Sequence, residues 1–225
     1  DSLTIPPTEK DSRWVMVVLH GLGDSLAGYR WLPEALALPW LGYRLVNAPD
    51  HYFGGYSWYD FAGDPAPGIQ RSRKALAELL DAVEAEGYPA ARTFMFGFSQ
   101  GCLMTLEVGL RSDRVLAGCV GVSGYVHDLP GLLAGLSPAA RRQRLLVTHG
   151  TWDSMIPIEP VRAQMRTLRE AGVPLEWREF AKDHTIAGEE EIRVIREFVT
   201  AGRAEEGTAA RRGPAAAPRP AIRSR

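Results

Sequence analysis

Short apolar runs recur along the chain and alternate with segments of helical periodicity. The runs cover residues 14–20, 43–49, 93–99, 115–123 and 144–150, with a partly alternating run at 174–180. Continuous apolar character is what strands buried on both faces require, as in a parallel sheet. The helical patterns cover residues 29–38, 69–87, 100–111, 158–171 and 188–200. Strands that alternate with helices predict an α/β fold, with a mostly parallel central sheet and helices on both of its faces.

Composition and charge limit the classes of partner. The chain has 225 residues, of which 45% are hydrophobic, and a formal net charge of -1. This composition suits one globular domain with a large core. The near-neutral charge gives no reason to expect a nucleic acid as partner. No apolar run approaches the roughly 20 residues that span a bilayer, so stable membrane insertion is not expected.

The two ends of the chain differ in composition from its centre. Residues 1–13 are polar with two prolines, which is not typical of a signal peptide, and are interpreted as an N-terminal extension. Residues 14–200 form the predicted α/β domain. Residues 201–225 are rich in Ala, Arg, Pro and Gly, so they are predicted to form a disordered tail. The two cysteines, Cys102 and Cys119, lie in apolar surroundings and are predicted to be reduced, buried thiols of a cytoplasmic protein.

The segment Gly97-Phe98-Ser99-Gln100-Gly101 is a G-x-S-x-G pattern at the end of an apolar run. Glycine weakens the interior of a strand and usually marks a tight bend. A sharp turn from strand to helix, with small neighbours, would let the serine oxygen stand clear of the backbone. The alternative is a serine in an ordinary turn, but an ordinary turn does not need this combination.

Other residues with chemical potential also follow predicted strands. Ser99 follows the run that begins at residue 93, Asp153 follows the run at 144–150, and His184 follows the run at 174–180. The first strong run is followed by HGLGD, residues 20–24. Because the carboxyl ends of parallel strands meet at one edge of a sheet, we expect these residues to lie close together. The order Ser, Asp, His along the chain is also that of the triad of α/β-hydrolases.

Each of these residues has a predicted role in acyl transfer. Ser99 is the candidate nucleophile, and it needs a base such as His184 to accept its proton. Asp153 would orient the imidazole and stabilise its charged form. The backbone N–H groups of Leu22 and Gln100 are the candidate oxyanion donors. This chemistry requires neither a metal nor another cofactor.

Alternative assignments exist for the acid and the base. Asp153 could be a helix-capping or loop carboxylate. Asp183 is a second candidate acid, although an immediate neighbour of His184 is poorly placed to bond its ring. Two of the other histidines, His20 and His149, end predicted strands and precede glycine, which favours structural roles. The remaining two, His51 and His127, fall in predicted loops, which favours a position at the surface.

An aromatic segment lies at residues 48–68, between the second apolar run and the first long helix. Long ordered loops often form binding sites, and aromatic side chains can wall a pocket. Tyr56, Trp58 and Tyr59 are therefore candidate substrate-binding residues. The alternative is a packed surface loop.

These motifs together resemble the phospholipase/carboxylesterase family of α/β-hydrolases, which includes acyl-protein thioesterases. Over roughly residues 14–200, five motifs appear in the order that the family has: HGLGD, the AP…GG…WYD stretch, GFSQG, HG…D…P and a late DH. The resemblance implies a hydrolase of carboxylic esters, thioesters or lysophospholipids. It also implies the triad Ser99, Asp153 and His184, with Leu22 and Gln100 as oxyanion donors. The chain departs from the family at Cys102, at Asp183 and in a shortened aromatic segment.

The leading hypothesis is a serine esterase that cleaves small-molecule esters of short to medium acyl chains through an acyl-enzyme. An aromatic pocket of fixed depth would limit the gain from each added methylene. The alternatives are an acyl-protein thioesterase, which would take an acylated protein as substrate, and a lysophospholipase. A non-catalytic binding protein of the same fold is a further alternative, against which the complete set of motifs argues.

Overall fold

The computed structural model describes the backbone of residues 1–212 and the side chains as far as residue 205. The strands in this range are β1 (Ser2–Ile5), β2 (Trp14–Leu19), β3 (Leu41–Val46), β4 (Asp50–Tyr52), β5 (Gly55–Ser57), β6 (Thr93–Phe98), β7 (Gly118–Val122), β8 (Leu145–Gly150) and β9 (Leu175–Phe180). The α-helices are α1 (Leu32–Leu36), α2 (Ala66–Ala85), α3 (Gln100–Arg111), α4 (Leu129–Ala134), α5 (Ile158–Glu170) and α6 (Gly188–Arg212). Short 3-10 helices occur at Leu26–Tyr29, Ala90–Arg92 and Pro138–Arg142.

The central sheet has the strand order β1-β3-β2-β6-β7-β8-β9. All neighbouring pairs are parallel except β1 with β3, and a separate antiparallel ribbon is formed by β4 and β5. Every residue of β2, β7 and β8 is buried, as expected for strands covered on both sides. The predicted mostly parallel α/β sheet is confirmed.

Side chains of the central strands enter two separate cores. Along β2, Val15, Val17 and Leu19 pack in one core, and the intervening residues pack in the other, because successive side chains point to opposite faces. The first core contains apolar residues of α2, α3 and α5, and the second contains residues of α1 and α6. Helices therefore cover both faces of the sheet, as predicted.

The N-terminal segment is part of the sheet, so its interpretation as an extension was wrong for residues 2–5. β1 pairs antiparallel with β3, with Leu3 opposite Leu45 and Ile5 opposite Tyr43. Leu3 and Ile5 are partly buried against the second core, because they alternate with polar residues along β1. The strand ends before Pro6, whose missing N–H is tolerated at a sheet edge.

The C-terminal helix extends beyond its predicted end. α6 continues to Arg212, so the predicted disorder does not hold for residues 201–212. The Arg203 guanidinium bonds the Glu9 carboxylate at 2.9 Å and lies 4.7 Å from the ring centroid of Trp40. Gly202 is buried and keeps this part of α6 close to Phe94. The other residues of the predicted tail, 213–225, lie outside the described part of the chain.

Cys102 and Cys119 are free and buried, as predicted. Burial raises the pKa of each thiol to about 12, so both are held in the protonated form. Among the described residues, no helix has the length and the apolar character needed to cross a membrane.

Candidate active site

Ser99 lies in a strained turn between β6 and α3. Its backbone has φ 54° and ψ -114°, a conformation that non-glycine residues rarely adopt. The flanking glycines permit this turn, since a Cβ at Gly97 would collide with the carbonyl of Gly101. A Cβ at Gly101 would collide with the carbonyl of Leu19 on the neighbouring strand β2. The turn is therefore the strained strand-to-helix connection that the G-x-S-x-G pattern predicts.

The structure brings Ser99, His184 and Asp153 together at the carboxyl edge of the sheet. His184 Nε2 lies 2.9 Å from Ser99 Oγ, and His184 Nδ1 lies 2.8 Å from Asp153 Oδ2. A carboxylate only accepts hydrogen bonds, so the ring donates from Nδ1 and presents the Nε2 lone pair to the serine hydroxyl. This geometry permits transfer of the serine proton to the imidazole.

The Asp153 carboxylate is fully buried and fixed from its other side. Its Oδ1 accepts the backbone N–H groups of Met155 at 3.1 Å and Ile156 at 2.8 Å. Asp183 is exposed, whereas Asp153 directly contacts the imidazole. Of the two candidate acids, the structure thus brings Asp153 to the ring.

A buried ion pair fixes the loop that carries His184, and sequence reasoning missed it. Lys182 Nζ lies 2.6 and 2.8 Å from the two carboxylate oxygens of Glu191. The same carboxylate accepts the Thr148 hydroxyl and, at 2.6 Å, the Ala187 N–H. Burial lowers the pKa of Lys182, and the attraction of Glu191 opposes this shift. Glu191 therefore bonds the loop at two points, one on each side of His184.

His20 supports the HGLGD loop from the interior. Its ring is fully buried, Nδ1 donates to the Gly21 carbonyl at 2.6 Å, and Nε2 accepts the Ala48 N–H at 3.0 Å. Burial lowers the pKa of His20, which is consistent with this neutral tautomer. His20 is therefore structural, as expected for a histidine that ends a strand.

Leu22 and Gln100 line the same cavity as Ser99. Gln100 is the first residue of α3, where a backbone N–H has no partner within the helix. Its N–H is thus available to an oxygen near Ser99. Leu22, in the HGLGD loop, lines this cavity too, so its backbone N–H stays the candidate for the second donor.

The Gln100 side chain has a further role that the sequence did not indicate. It is buried, and its Oε1 accepts the Trp58 N–H at 2.9 Å and the Ser57 hydroxyl at 3.2 Å. Its Nε2 donates to the Tyr59 carbonyl at 3.1 Å. Gln100 therefore attaches the aromatic segment to the base of the serine turn.

A cavity of about 490 Å³ opens at Ser99. Besides Ser99, Gln100 and His184, its walls are mostly apolar or aromatic: Leu22, Tyr52, Tyr59, Phe61, Tyr125, Met155, Ile156 and Pro157. Tyr125 and the segment 155–157 were not predicted, although both follow the ends of β7 and β8. That position was the available signal, since chemistry in parallel sheets gathers beyond these strand ends.

The three predicted substrate-binding aromatics do not share one location. Tyr59 lines the cavity at Ser99, whereas Tyr56 and Trp58 line a different cavity beside Val46 and α2. Trp58 is buried, and its Nε1 donates to the His20 carbonyl at 2.9 Å. Trp58 and Tyr59 lie in the bend that follows β5, and both are buried. Of the three predicted residues, Tyr59 alone therefore lines the cavity at Ser99, and its contact with a substrate stays a prediction.

Comparison with known proteins identifies relatives that are named as thioesterases and carboxylesterases. A family model described as Phospholipase/Carboxylesterase matches residues 1–202. Acyl-protein thioesterase 1 of Schizosaccharomyces pombe is 33% identical over 70% of this chain and 75% of its own length. A probable carboxylesterase of Oryza sativa subsp. japonica is 28% identical over 80% of this chain and 74% of its own.

Solved structures share the fold. The crystal structure of Arabidopsis thaliana SOBER1 superposes with a TM-score of 0.77 at 24% identity, and the match covers 84% of this chain and 99% of that one. At this identity the likeness supports the fold alone, whereas the family match covers most of the sequence. The chain therefore belongs to the phospholipase/carboxylesterase family of α/β-hydrolases and is a hydrolase of the carboxylesterase type.

Proposed function

We propose that this protein cleaves carboxylic esters through an acyl-enzyme on Ser99, with His184 as general base and acid and Asp153 as its orienting carboxylate. One observation carries the proposal. The two hydrogen bonds that join Ser99 to His184 and His184 to Asp153 lie at the mouth of an apolar cavity. An alcohol is a weak nucleophile at neutral pH, and this arrangement supplies the base it needs.

In the acylation step, Ser99 Oγ attacks the carbonyl carbon of the ester while its proton passes to His184 Nε2. The negative charge on the carbonyl oxygen is stabilised by the backbone N–H groups of Leu22 and Gln100. The tetrahedral intermediate then collapses, the bond from carbon to the alkoxy oxygen breaks, and His184 gives its proton to that oxygen. An alcohol leaves, and an acyl ester of Ser99 remains.

In the deacylation step, a water molecule takes the place of the alcohol. His184 accepts one of its protons as the water oxygen attacks the acyl carbon. Collapse of the second intermediate breaks the bond to Ser99 Oγ, which recovers its proton from His184. Asp153 favours both steps because its buried carboxylate stabilises the imidazolium that forms in each of them.

The acyl chains that we assign to the cavity are short to medium. The hydroxyls of Tyr59 and Tyr125 lie 3.5 Å apart in its wall. Each methylene buried against apolar wall improves binding by about 0.8 kcal/mol, but one placed against hydroxyl groups does not. A cavity with this pair of hydroxyls in its wall favours acyl chains that end before they reach the hydroxyls.

A second candidate function is removal of acyl groups from protein thioesters. Its support is that several relatives are named acyl-protein thioesterases, with 33% identity for the one from Schizosaccharomyces pombe. The residues assigned above would act on a thioester in the same way, with a thiol as leaving group. We assign either activity to the cytoplasm, since both cysteines are unpaired and buried.

The nucleophile is tested with Ser99→Ala. We expect kcat for ester hydrolysis to fall by about 10⁶-fold, as it does when the serine of other catalytic triads is removed. A fluorophosphonate should add its mass to Ser99 in the wild-type protein and to no residue of the variant. Ser154→Ala is a matched control, because Ser154 is exposed and lies next to Asp153. Full activity of the Ser99 variant would refute the mechanism.

The substrate class is tested with matched series of oxygen esters and thioesters of graded acyl length. We expect kcat/KM to rise with each carbon, pass through a maximum at a medium chain and then fall. A continuous rise to long chains would refute the assigned acyl preference. Higher values for thioesters throughout the series would favour the second candidate function.

A further inference from the structure

His184 lines a second cavity besides the one at Ser99, which is called the acyl cavity from here on. Its volume is about 420 Å³, and its wall includes Asp24, Tyr29, Trp31, Phe98, Ile186 and Ile192 together with His184. Phe98 directly precedes Ser99, and its ring centroid lies 5.0 Å from that of His184. The two cavities therefore share the imidazole, and only the first also contains Leu22, Gln100 and Ser99.

This arrangement matches the two halves of an ester. The carbonyl oxygen must lie near the N–H groups of Leu22 and Gln100, which belong to the acyl cavity. The leaving oxygen must receive a proton from His184, so the leaving group extends along the imidazole. The second cavity is lined by His184, and its volume leaves room for a small alcohol.

Apart from His184, which becomes charged only during the reaction, the charged side chain that lines this cavity is acidic. Asp24 is its carboxylate, and among the described residues no lysine or arginine lines it. One oxygen of Asp24 accepts the Ser25 N–H at 2.7 Å, and the side chain is exposed. Burial raises the pKa of Tyr29, which keeps its hydroxyl neutral. Nearby, Glu189 is paired with Arg196 at 3.2 Å, and Asp183 is exposed on the loop that carries His184.

An aromatic ring accompanies the carboxylate. Trp31 is 40% exposed, a high value for a large apolar side chain, and it lines the same cavity. The face of an indole attracts cations, most strongly where solvent is partly excluded. A carboxylate and an indole together favour a positively charged group over a neutral group of the same shape.

We propose that the second cavity is the leaving-group subsite and that it prefers cationic alcohols to neutral alcohols of the same size. The proposal rests on the acyl-enzyme function proposed above. Asp24 and Trp31 are the specificity-determining residues, and the acyl cavity sets chain length independently of them.

The test compares two butyrate esters of the same shape, those of cationic choline and of neutral 3,3-dimethylbutanol. Each kcat/KM is divided by the rate constant for hydrolysis of that ester by hydroxide, because the ammonium group also activates the leaving oxygen. We expect the normalised kcat/KM to be about three- to tenfold higher for the choline ester, the range of an exposed cation–π contact with a nearby carboxylate. Asp24→Asn should bring this ratio toward one. Asp183→Asn should retain it, because Asp183 is adjacent to His184 in sequence but does not line the cavity.

A second measurement does not depend on a variant. The ratio in the wild-type protein should fall as salt is raised, because an exposed charge interaction is screened. Equal normalised kcat/KM for the two esters at low salt, or a ratio in Asp24→Asn equal to that of the wild type, would overturn the subsite. Hydrolysis of both esters that persists in Ser99→Ala would instead refute the proposed function.

Discussion

Lys182 and Glu191 are paired in the interior beneath the loop that carries His184, with Nζ 2.6 Å from Oε1 and 2.8 Å from Oε2. Their side chains are only 3% and 0% exposed. Glu191 also accepts the Ala187 N–H, so one carboxylate holds the loop on both sides of the imidazole. The stability of the protein and the position of the candidate base are thus coupled.

Removal of one partner of this pair should strongly destabilise the protein. Lys182→Met or Glu191→Gln leaves the other group buried without its partner, which costs about 3–5 kcal/mol in free energy of unfolding. The double variant should lose much less than the sum of the single losses, since no charge is left uncompensated. Urea unfolding of all four proteins measures this coupling. Additive losses would show that the two side chains act independently.

The two candidate acids should differ sharply in their effect on catalysis. Asp153→Asn keeps the size of the side chain but removes the acceptor that sets the imidazole tautomer, so kcat should fall by about 10⁴-fold. Asp183→Asn should change kcat little, because Asp183 is exposed and Asp153 contacts the ring. Steady-state kinetics with one ester measures both. The opposite ranking would assign the acid to Asp183.

The buried histidines should make the protein sensitive to acid. Burial lowers the pKa of His20 and of His149 below 6.5, although the Ile156 carbonyl and Asp153 partly oppose the shift at His149. Above pH 6.5 these two histidines are mostly neutral in both the folded and the unfolded protein, so their protonation does not change the stability. Below it the unfolded chain is protonated first, so the free energy of unfolding falls as pH falls. Each histidine contributes at most about 1.4 kcal/mol per pH unit.

Urea unfolding between pH 8 and pH 5.5 measures this dependence. His149→Asn should reduce the slope below pH 6.5, whatever its effect on stability at pH 8. His127→Asn is the matched control, because His127 is exposed, and it should leave the slope unchanged. An identical slope in the His149 variant and the wild type would show that burial of this ring does not govern the response.

The extended part of α6 should contribute to stability through Arg203. Arg203→Ala removes an ion pair with Glu9 and a cation–π contact with Trp40, together worth about 1 kcal/mol. Arg193→Ala is the control, since among the residues with described side chains Arg193 pairs with Glu197 alone, at 3.5 Å on the exposed face of the same helix. Thermal unfolding should show a lower Tm for the Arg203 variant than for the control. Equal values would mean that the contacts of Arg203 add nothing to the stability of the fold.

The features that the sequence predicted depend on local properties of the chain. Continuous apolar runs predicted β2, β6, β7 and β8 because a strand covered on both faces is made mostly of apolar side chains. The turn at Ser99 was predictable because its conformation and close contacts require the glycines on either side. The proximity of Ser99, Asp153 and His184 followed from their positions at the ends of strands in one parallel sheet.

Contacts between distant segments decided the rest. Tyr59 and Trp58 are equivalent aromatic candidates in sequence, but in the folded chain Tyr59 lines the cavity at Ser99, whereas the Trp58 indole bonds the His20 carbonyl. The apolar residues of β1 lie in the sheet because β1 pairs with β3. The extended part of α6 is held by the bond of Arg203 to Glu9, 194 residues away in the chain. Lys182 and Glu191 read as surface charges in sequence, because their burial depends on neighbours that only the folded chain supplies.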